Sequence, residues 1–261
     1  MLVVMAALPL FGVAVYNSLV QRDKAEAAEK QQLQLIASLT ARRPQQIIEG
    51  ANQLLFAVTA DIGDLMRDRA SCTEQFRKVM TQVRGLYRTM GLILPNGDIY
   101  CNATTPPKDL NVNVKDRDYF QMAMSSGKFV VGGYQVGRAT GLPAINLAYP
   151  VVDGSGKVVA VAYAALNLGT FEEQDELREG VSVREIERVV TVLDYTGVVL
   201  AQFPPRHAKV GEQLPNAKVL EQLSGQKSGL FSELDPAGEM RLYAFDSVGR
   251  NPDGRAPIRV L

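Results

Sequence analysis

Asp116-Arg117-Asp118-Tyr119-Phe120, "DRDYF", followed by Gly127 to Gly137, "GKFVVGGYQVG", is the stretch on which the reading of this chain turns. An arginine between two aspartates and against two aromatics fits a catalytic cluster, a ligand clamp or a salt-bridged turn. Arg117 offers five donors in a planar fork that matches a carboxylate or a phosphate. Tyr119 and Phe120 can wall a pocket, and Tyr119 adds a hydroxyl. On residue types alone the plain reading is better: Arg117 pairs with Asp116 or Asp118, and the aromatics are core. Gly132, Gly133 and Gly137 lack the Gly-Lys-Ser/Thr ending of a phosphate loop. They allow a tight bend or the close approach of a ligand.

Outward from this packet the apolar residues alternate with period two. "LYRTMGLILPNGDIYCN" holds Asn96-Gly97 between two apolar runs, a strong hairpin signal. "DRDYFQMAMSSG" reads as a short helix. "FVVGGYQVG", "AINLAYPVVD" and "KVVAVAYAALNL" read as three strands, the last two joined by a turn at Asp153-Gly154-Ser155-Gly156. From Glu187 a smaller pass repeats the architecture without the sequence. "RVVTVLDYTGVVLAQF" is a strand–turn–strand, "AKVLEQLSG" a helix, and "GLFSEL" and "MRLYAFDSV" two more strands, with "PIRVL" the start of another. Strands with helices before and among them predict an α+β fold.

Toward the N-terminus the period becomes helical. Leu33, Ile36, Leu39, Ile47, Ile48, Ala51, Leu54, Leu55, Val58, Ile62 and Leu65 form one stripe, which Pro44 should kink or restart. Residues 1–20, "MLVVMAALPLFGVAVYNSLV", carry no charge. As a helix of about 30 Å they reach across a bilayer's hydrocarbon. A cleaved signal peptide is the rival. The absence of a basic n-region and the length of the apolar run favour an uncleaved anchor, with a native start upstream of Met1 left open. The small-x-small triplet Ala25-Glu26-Ala27 lies too deep among charges to be a cleavage site. Behind an anchor, the two cysteines, Cys72 and Cys101, read as a disulfide of an oxidising compartment.

Lys+Arg and Asp+Glu number 28 each, so no net charge excess recruits nucleic acid or an anionic bilayer. "FEEQDELREG" reads as a solvated face. A single histidine, His207, and two distant cysteines cannot supply an ordinary zinc site, and most histidine-based catalysis is removed with them. Asn102-Ala103-Thr104 matches a glycosylation acceptor, a pattern frequent by chance. No catalytic residue, metal site or cofactor is expected, and the chain is not read as an enzyme.

"DRDYFQMAMSSGKFVVGGYQVGRATGLPAINLAYPVVDGSGKVVAVAYAALNL" resembles the membrane-distal module of double Cache (PAS-like) sensor domains. Those carry a D-R-x-Y-F segment, a V-G-containing hairpin, a P-V-x-D strand end and a closing strand. The resemblance implies a long N-terminal helix followed by two PAS-like antiparallel-sheet modules. Its expected divisions are an anchor at 1–20, a signalling and dimerisation helix at 21–70, a distal module at 71–180 and a smaller proximal module at 187–261, short at its C-terminal end. It implies an extracytoplasmic small-molecule sensor in the inner membrane, facing the periplasm, and a homodimer. The favoured output is a histidine kinase, with a diguanylate cyclase or chemoreceptor as alternatives. A ligand-free dimerisation or interaction domain is the reading of a different class.

By the same resemblance Arg117, Tyr119 and Phe120 lie over the ligand and face Tyr134. Strand parity puts Tyr163 and Asn167 on the ligand-facing side, opposite Leu166 and Leu168. Amino-acid-binding members have Arg-x-Trp-Tyr and an acidic residue on the last strand. This chain has Arg117-Asp118-Tyr119-Phe120, no tryptophan, and Ala165 near the acid's place. An organic acid or other carboxylate held by Arg117 is the expected ligand.

Overall fold

A computed structural model describes residues 2–171, 188–205, 208–235 and 237–261, with side chains from residue 16 onward. His207 and nearly all of "FEEQDELREG" lie outside the described residues, as do the side chains of most of the expected anchor. Among the described residues no helix is long and apolar enough to cross a membrane.

Helix α1 runs unbroken from Leu2 to Val58, straight through Pro44, and so ends short of residue 70. An interior proline costs a helix about 3 kcal/mol through its missing donor and ring clash. Here Pro44 itself lies on the buried stripe, with Ala37, Thr40, Ala41, Ile48, Ala51 and Leu55. That stripe packs on both sheets, and this tertiary contact overrides the local penalty. Gln34 donates to the Phe245 carbonyl (3.2 Å) and Gln45 accepts from the Gly249 amide (2.8 Å), while farther along Phe56 meets Tyr149 edge-on. Leu39, expected on the stripe, instead points outward, as do Leu35 and Phe56.

Helices α2 (Ile62–Leu65) and α3 (Arg69–Gln82) lead into the first sheet. Its strands are β1 (Tyr87–Ile93), β2 (Ile99–Asn102), β3 (Val130–Val136), β4 (Pro143–Val152) and β5 (Val158–Asn167), with α4 (Asp118–Ser126) before β3. The second sheet holds β6 (Val190–Asp194), β7 (Val199–Phe203), β8 (Ser228–Leu234), β9 (Met240–Val248) and β10 (Ile258–Val260), with α5 (Ala217–Gln222) before β8.

The spatial orders are β2-β1-β5-β4-β3 and β7-β6-β10-β9-β8. Numbered within its own sheet, each module has the same order. All pairs are antiparallel, and matching bridges, Asp98–Asn113 and Val198–Gln213, lie outside the strands. The repeat is therefore one of topology. The first hairpin turns where Asn96-Gly97 placed it: Gly97 has φ +91°, and a Cβ there would come 2.7 Å from the Lys115 nitrogen. The expected last strand, β10, is the middle strand of its sheet, paired with both β6 and β9.

Period-two alternation divides the first module into two cores. Met90, Leu92, Ile145, Leu147, Ala162, Ala164 and Leu166 face α1 and α3. Ile93, Ala148, Val161 and Tyr163 face α4 and the loop before it, meeting Leu110, Val114, Tyr119, Phe120 and Ala123. Cys72 and Cys101 form a disulfide that ties α3 to β2, with Cα atoms 5.9 Å apart.

Candidate ligand site on the first sheet

The charged residues of "DRDYF" take three separate directions. Asp116 grips Arg138 with both oxygens (2.6 and 2.7 Å), and that hydrogen-bonded pairing holds its carboxyl down at about 2. Asp118 turns away from both arginines: one carboxylate oxygen accepts from the Gly133 amide (2.8 Å) and from the Tyr195 hydroxyl. Arg117, the residue preceding α4, donates to the Val136 carbonyl at 3.2 Å and remains half-buried. It makes no ion pair with either neighbouring aspartate. Tyr119 and Phe120 are buried on the inner side of α4, as core aromatics at the site face.

Beneath α4 the sheet presents a neutral polar floor. The Tyr163 hydroxyl accepts from Asn102 Nδ2 (2.7 Å). Asn102 Oδ1 accepts from Thr89 Oγ1 (2.8 Å), Thr104 Oγ1 (2.8 Å) and the Thr104 amide (2.8 Å). Gly91 makes room: a Cβ there would come 3.0 Å from the Tyr163 ring. Beside this network Asn146 of β4 is 6% exposed, and its Oδ1 is buried with no hydrogen-bond partner. Its side chain lies near the Tyr119 hydroxyl. Burial pushes the Tyr119 and Tyr163 phenols above their ordinary range, so both stay neutral donors at physiological pH. Buried polar groups are normally paired, because an orphaned one forfeits its hydration. The unpartnered Asn146 oxygen therefore marks a position that a donor from outside the chain can satisfy.

Two expected residues are placed differently. Tyr134 was expected to face Arg117, Tyr119 and Phe120. Between Val131 and Tyr134 the β3 register slips by one residue against β4, so Tyr134 pairs with Ile145 and joins the opposite core. A one-residue bulge reverses the facing of every side chain after it. The Tyr134 hydroxyl lies against Gly211 of the second module, where a Cβ would come 2.5 Å from it. Asn167 keeps the expected parity with Tyr163 but sits at the strand end, donating to the Gly85 carbonyl (2.8 Å) and accepting from the Gly169 amide (3.1 Å). It fastens a turn. Asn102, whose match to a glycosylation triplet is set aside as chance, is fully buried inside the polar floor.

The glycines of "VVGGY" do allow a close approach, by protein groups. A Cβ on Gly132 would come 2.8 Å from the Tyr119 Cβ, and one on Gly133 3.1 Å from an Asp194 oxygen. The outer edge of β3 is closed by the second module. Asn251 accepts from the Val131 amide (2.9 Å) and donates to the Val131 carbonyl (2.8 Å), and Asp194 accepts from the Tyr134 amide (2.7 Å). Arg255 lies over the Tyr195 ring at 4.5 Å. Asp118 thus links the helix above the site to the second module.

The Cache domain family model matches residues 21–252. The chain belongs to the Cache domain family. Its two modules are those of a double Cache sensor domain, and solved structures share the fold. An extracellular domain assigned to a histidine kinase, rpHK1S-Z16, is 16% identical with a TM-score of 0.72, over 90% of this chain and 94% of that one. The periplasmic sensory domain of the Campylobacter jejuni chemoreceptor Tlp1 is 15% identical, TM-score 0.63, over 90% and 95%. The ligand-binding domain of the Pseudomonas fluorescens chemoreceptor CtaA, in complex with L-isoleucine, is 18% identical, TM-score 0.65, over 92% and 94%. At these identities the likeness is one of fold. Comparison with curated proteins gave no match. The neighbours are extracellular, periplasmic or ligand-binding domains of proteins described as a histidine kinase and as chemoreceptors.

Proposed function

We propose that this Cache domain senses a small molecule held between the first sheet and α4, as the input region of a transmembrane receptor. The observation that carries the reading is the Asn146 oxygen, buried without a partner beside Tyr119 in a layer that is otherwise fully hydrogen-bonded. A buried orphan acceptor beside neutral polar groups is what a ligand site with convergent polar groups would offer.

The floor is uncharged and the nearest carboxylate, Asp118, is committed to Gly133 and Tyr195. No uncommitted carboxylate there pairs an ammonium charge, so an amino acid of the type bound by the CtaA domain is disfavoured, and the donor that the Asn146 oxygen calls for is better a neutral one on the ligand, such as a hydroxyl. A carboxylate suits better: Arg117 at the rim spends one donor on a carbonyl and keeps the rest of its fork. The proposed contacts are Arg117, Tyr119, Phe120, Tyr163 and Asn146. Tyr134 and Asn167, proposed from the sequence, would act only indirectly, through the module seam and the strand-end turn.

We further propose residues 1–20 as a membrane anchor, the sensor on the periplasmic side of the inner membrane, and a homodimer formed along α1, whose Leu35, Leu39 and Phe56 are exposed at 55%, 46% and 61%. A histidine kinase is the proposed output, with a diguanylate cyclase or chemoreceptor as the alternative. Thermal-shift screening of the purified chain against organic acids, followed by calorimetry, tests the ligand reading, since a solute that binds only the folded state raises the melting temperature. A saturable hit that Arg117→Ala weakens at least tenfold is expected. A hit whose affinity Arg117→Ala leaves unchanged removes the carboxylate role.

A further inference from the structure

A concavity lies where α1 meets the second sheet, lined by residues other than those of the first-sheet site. It is a groove of about 820 Å³. Its charged lining is one-sided: Arg42 from α1, Lys227 before β8, Arg250 and Arg255 from the β9–β10 connection, and Arg259 of β10 face one carboxylate, Asp246. Arg255 is answered by Asp253 (2.6 Å) and covers the Tyr195 ring. Arg250 donates only to the Gly254 carbonyl (3.3 Å). Arg42, Lys227 and Arg259 make no ion pair among the described residues.

Arg259 is the informative member. It stands on the central strand of the sheet, and its Nε is buried with no hydrogen-bond acceptor. The residue as a whole is part-buried, but a guanidinium is always charged, so its buried, unpaired Nε calls for an acceptor supplied from outside. The surrounding cations leave room for acceptors of one sign. Arginine forks match the oxygens of a tetrahedral or planar oxyanion. Three glycines, Gly225, Gly249 and Gly254, line the same groove and keep its floor open.

We propose that this groove is an oxyanion site, built for a phosphate-type group, either a free phosphate ester or the headgroup of an anionic lipid. The site is distinct from the proposed ligand site and does not rest on it. Because α1 supplies one wall and the second sheet the other, an anion bound here clamps the helix against the second module.

Calorimetry on the full chain in detergent, with inorganic phosphate and then pyrophosphate as probes, tests the assignment. Flotation with phosphatidylglycerol vesicles against phosphatidylcholine vesicles forms the second arm. Two variants accompany each arm. R259M removes the fork with the buried Nε, and R42Q/R250Q removes two exposed charges without touching the core. Expected is saturable binding that weakens with added salt, tighter for pyrophosphate than for phosphate, and at least tenfold weaker in R42Q/R250Q. R259M should lose binding while melting no lower than the parent chain. Binding in the calorimetric arm identifies a free phosphate, and binding confined to phosphatidylglycerol identifies a lipid headgroup. No saturable binding in either arm, or binding undiminished in R42Q/R250Q, overturns the proposal. Should R259M fail to fold, R42Q/R250Q alone decides.

Discussion

Replacing Asn146 by leucine should strengthen the first module and silence its site. The side chain is 6% exposed, its Oδ1 has no partner, and it lies near the Tyr119 hydroxyl. An unsatisfied buried oxygen costs about 1–3 kcal/mol, and a leucine of similar volume removes that cost while burying apolar surface. Against this, Tyr119 loses a polar neighbour, at a cost of no more than a neutral hydrogen bond, about 1 kcal/mol. The balance favours Asn146→Leu by about 1 kcal/mol, or about 2–4 °C in melting temperature for a chain of this size. Urea unfolding followed by circular dichroism, with an unchanged m-value, measures it. Whichever small molecule stabilises the parent chain should no longer do so in the variant. Sites shaped for a ligand commonly trade stability for function in this way. A variant destabilised by about 2 kcal/mol or more would show that the Asn146 oxygen is satisfied within the resting fold, by an ordered water for example. The reasoning from an orphan acceptor to a ligand would then fail.

Asn251→Ala should cost about 2–4 kcal/mol, because the Val131 amide and carbonyl lose their partners together at a covered strand edge; a loss under about 0.5 kcal/mol in urea titration would show that water replaces Asn251 freely. Cys72→Ala/Cys101→Ala should cost about 3–4 kcal/mol, the chain-entropy value for a cross-link of sequence separation 29, and an unchanged urea midpoint contradicts it. Burial pushes the Tyr87 phenol up to about 12, and Tyr119, Tyr163 and Tyr195 are also raised. The fold therefore holds protons that the unfolded chain, with tyrosines near 10, releases first. Stability should stay level up to about pH 10 and fall as pH rises through about 12; a urea midpoint flat across that window excludes the burial assigned to these phenols.

Much of the fold was legible because its signals are local. Asn96-Gly97 and Asp153-Gly154-Ser155-Gly156 mark turns by backbone conformation, and period-two runs between them leave few alternatives to antiparallel strands. Pro44 misled because its penalty is local, whereas the packing that holds α1 straight comes from strands more than a hundred residues away. Tyr134 misled for a related reason. The two-glycine bulge that flips it exists because Tyr119 and Asp194 approach Gly132 and Gly133, which no neighbouring residue announces.

Of the proposed site, Tyr119, Phe120 and Tyr163 were named from motif and parity, and the structure puts them on one face of the first module. Asn146, Asn102, Thr89 and Thr104 were missed. A usable signal was present at Asn146, since it is a polar residue between Ala144 and Ala148 on the buried face of an apolar strand. The contacts of Asp118 with Tyr195 and of Asn251 with Val131 join residues 77 and 120 positions apart, and charge pattern alone pointed Asp118 at its neighbour Arg117 instead.

Hydrogen exchange of the full chain, with and without the first stabilising solute from the screen, tests the location of the sensor site most directly. The account predicts added protection in α4, in β3 to β5 and around Asn102, with the second module changing only at Asp194–Tyr195 and Asn251, where it grips β3. Protection confined to the second module, with α4 and the first sheet unchanged, would contradict it.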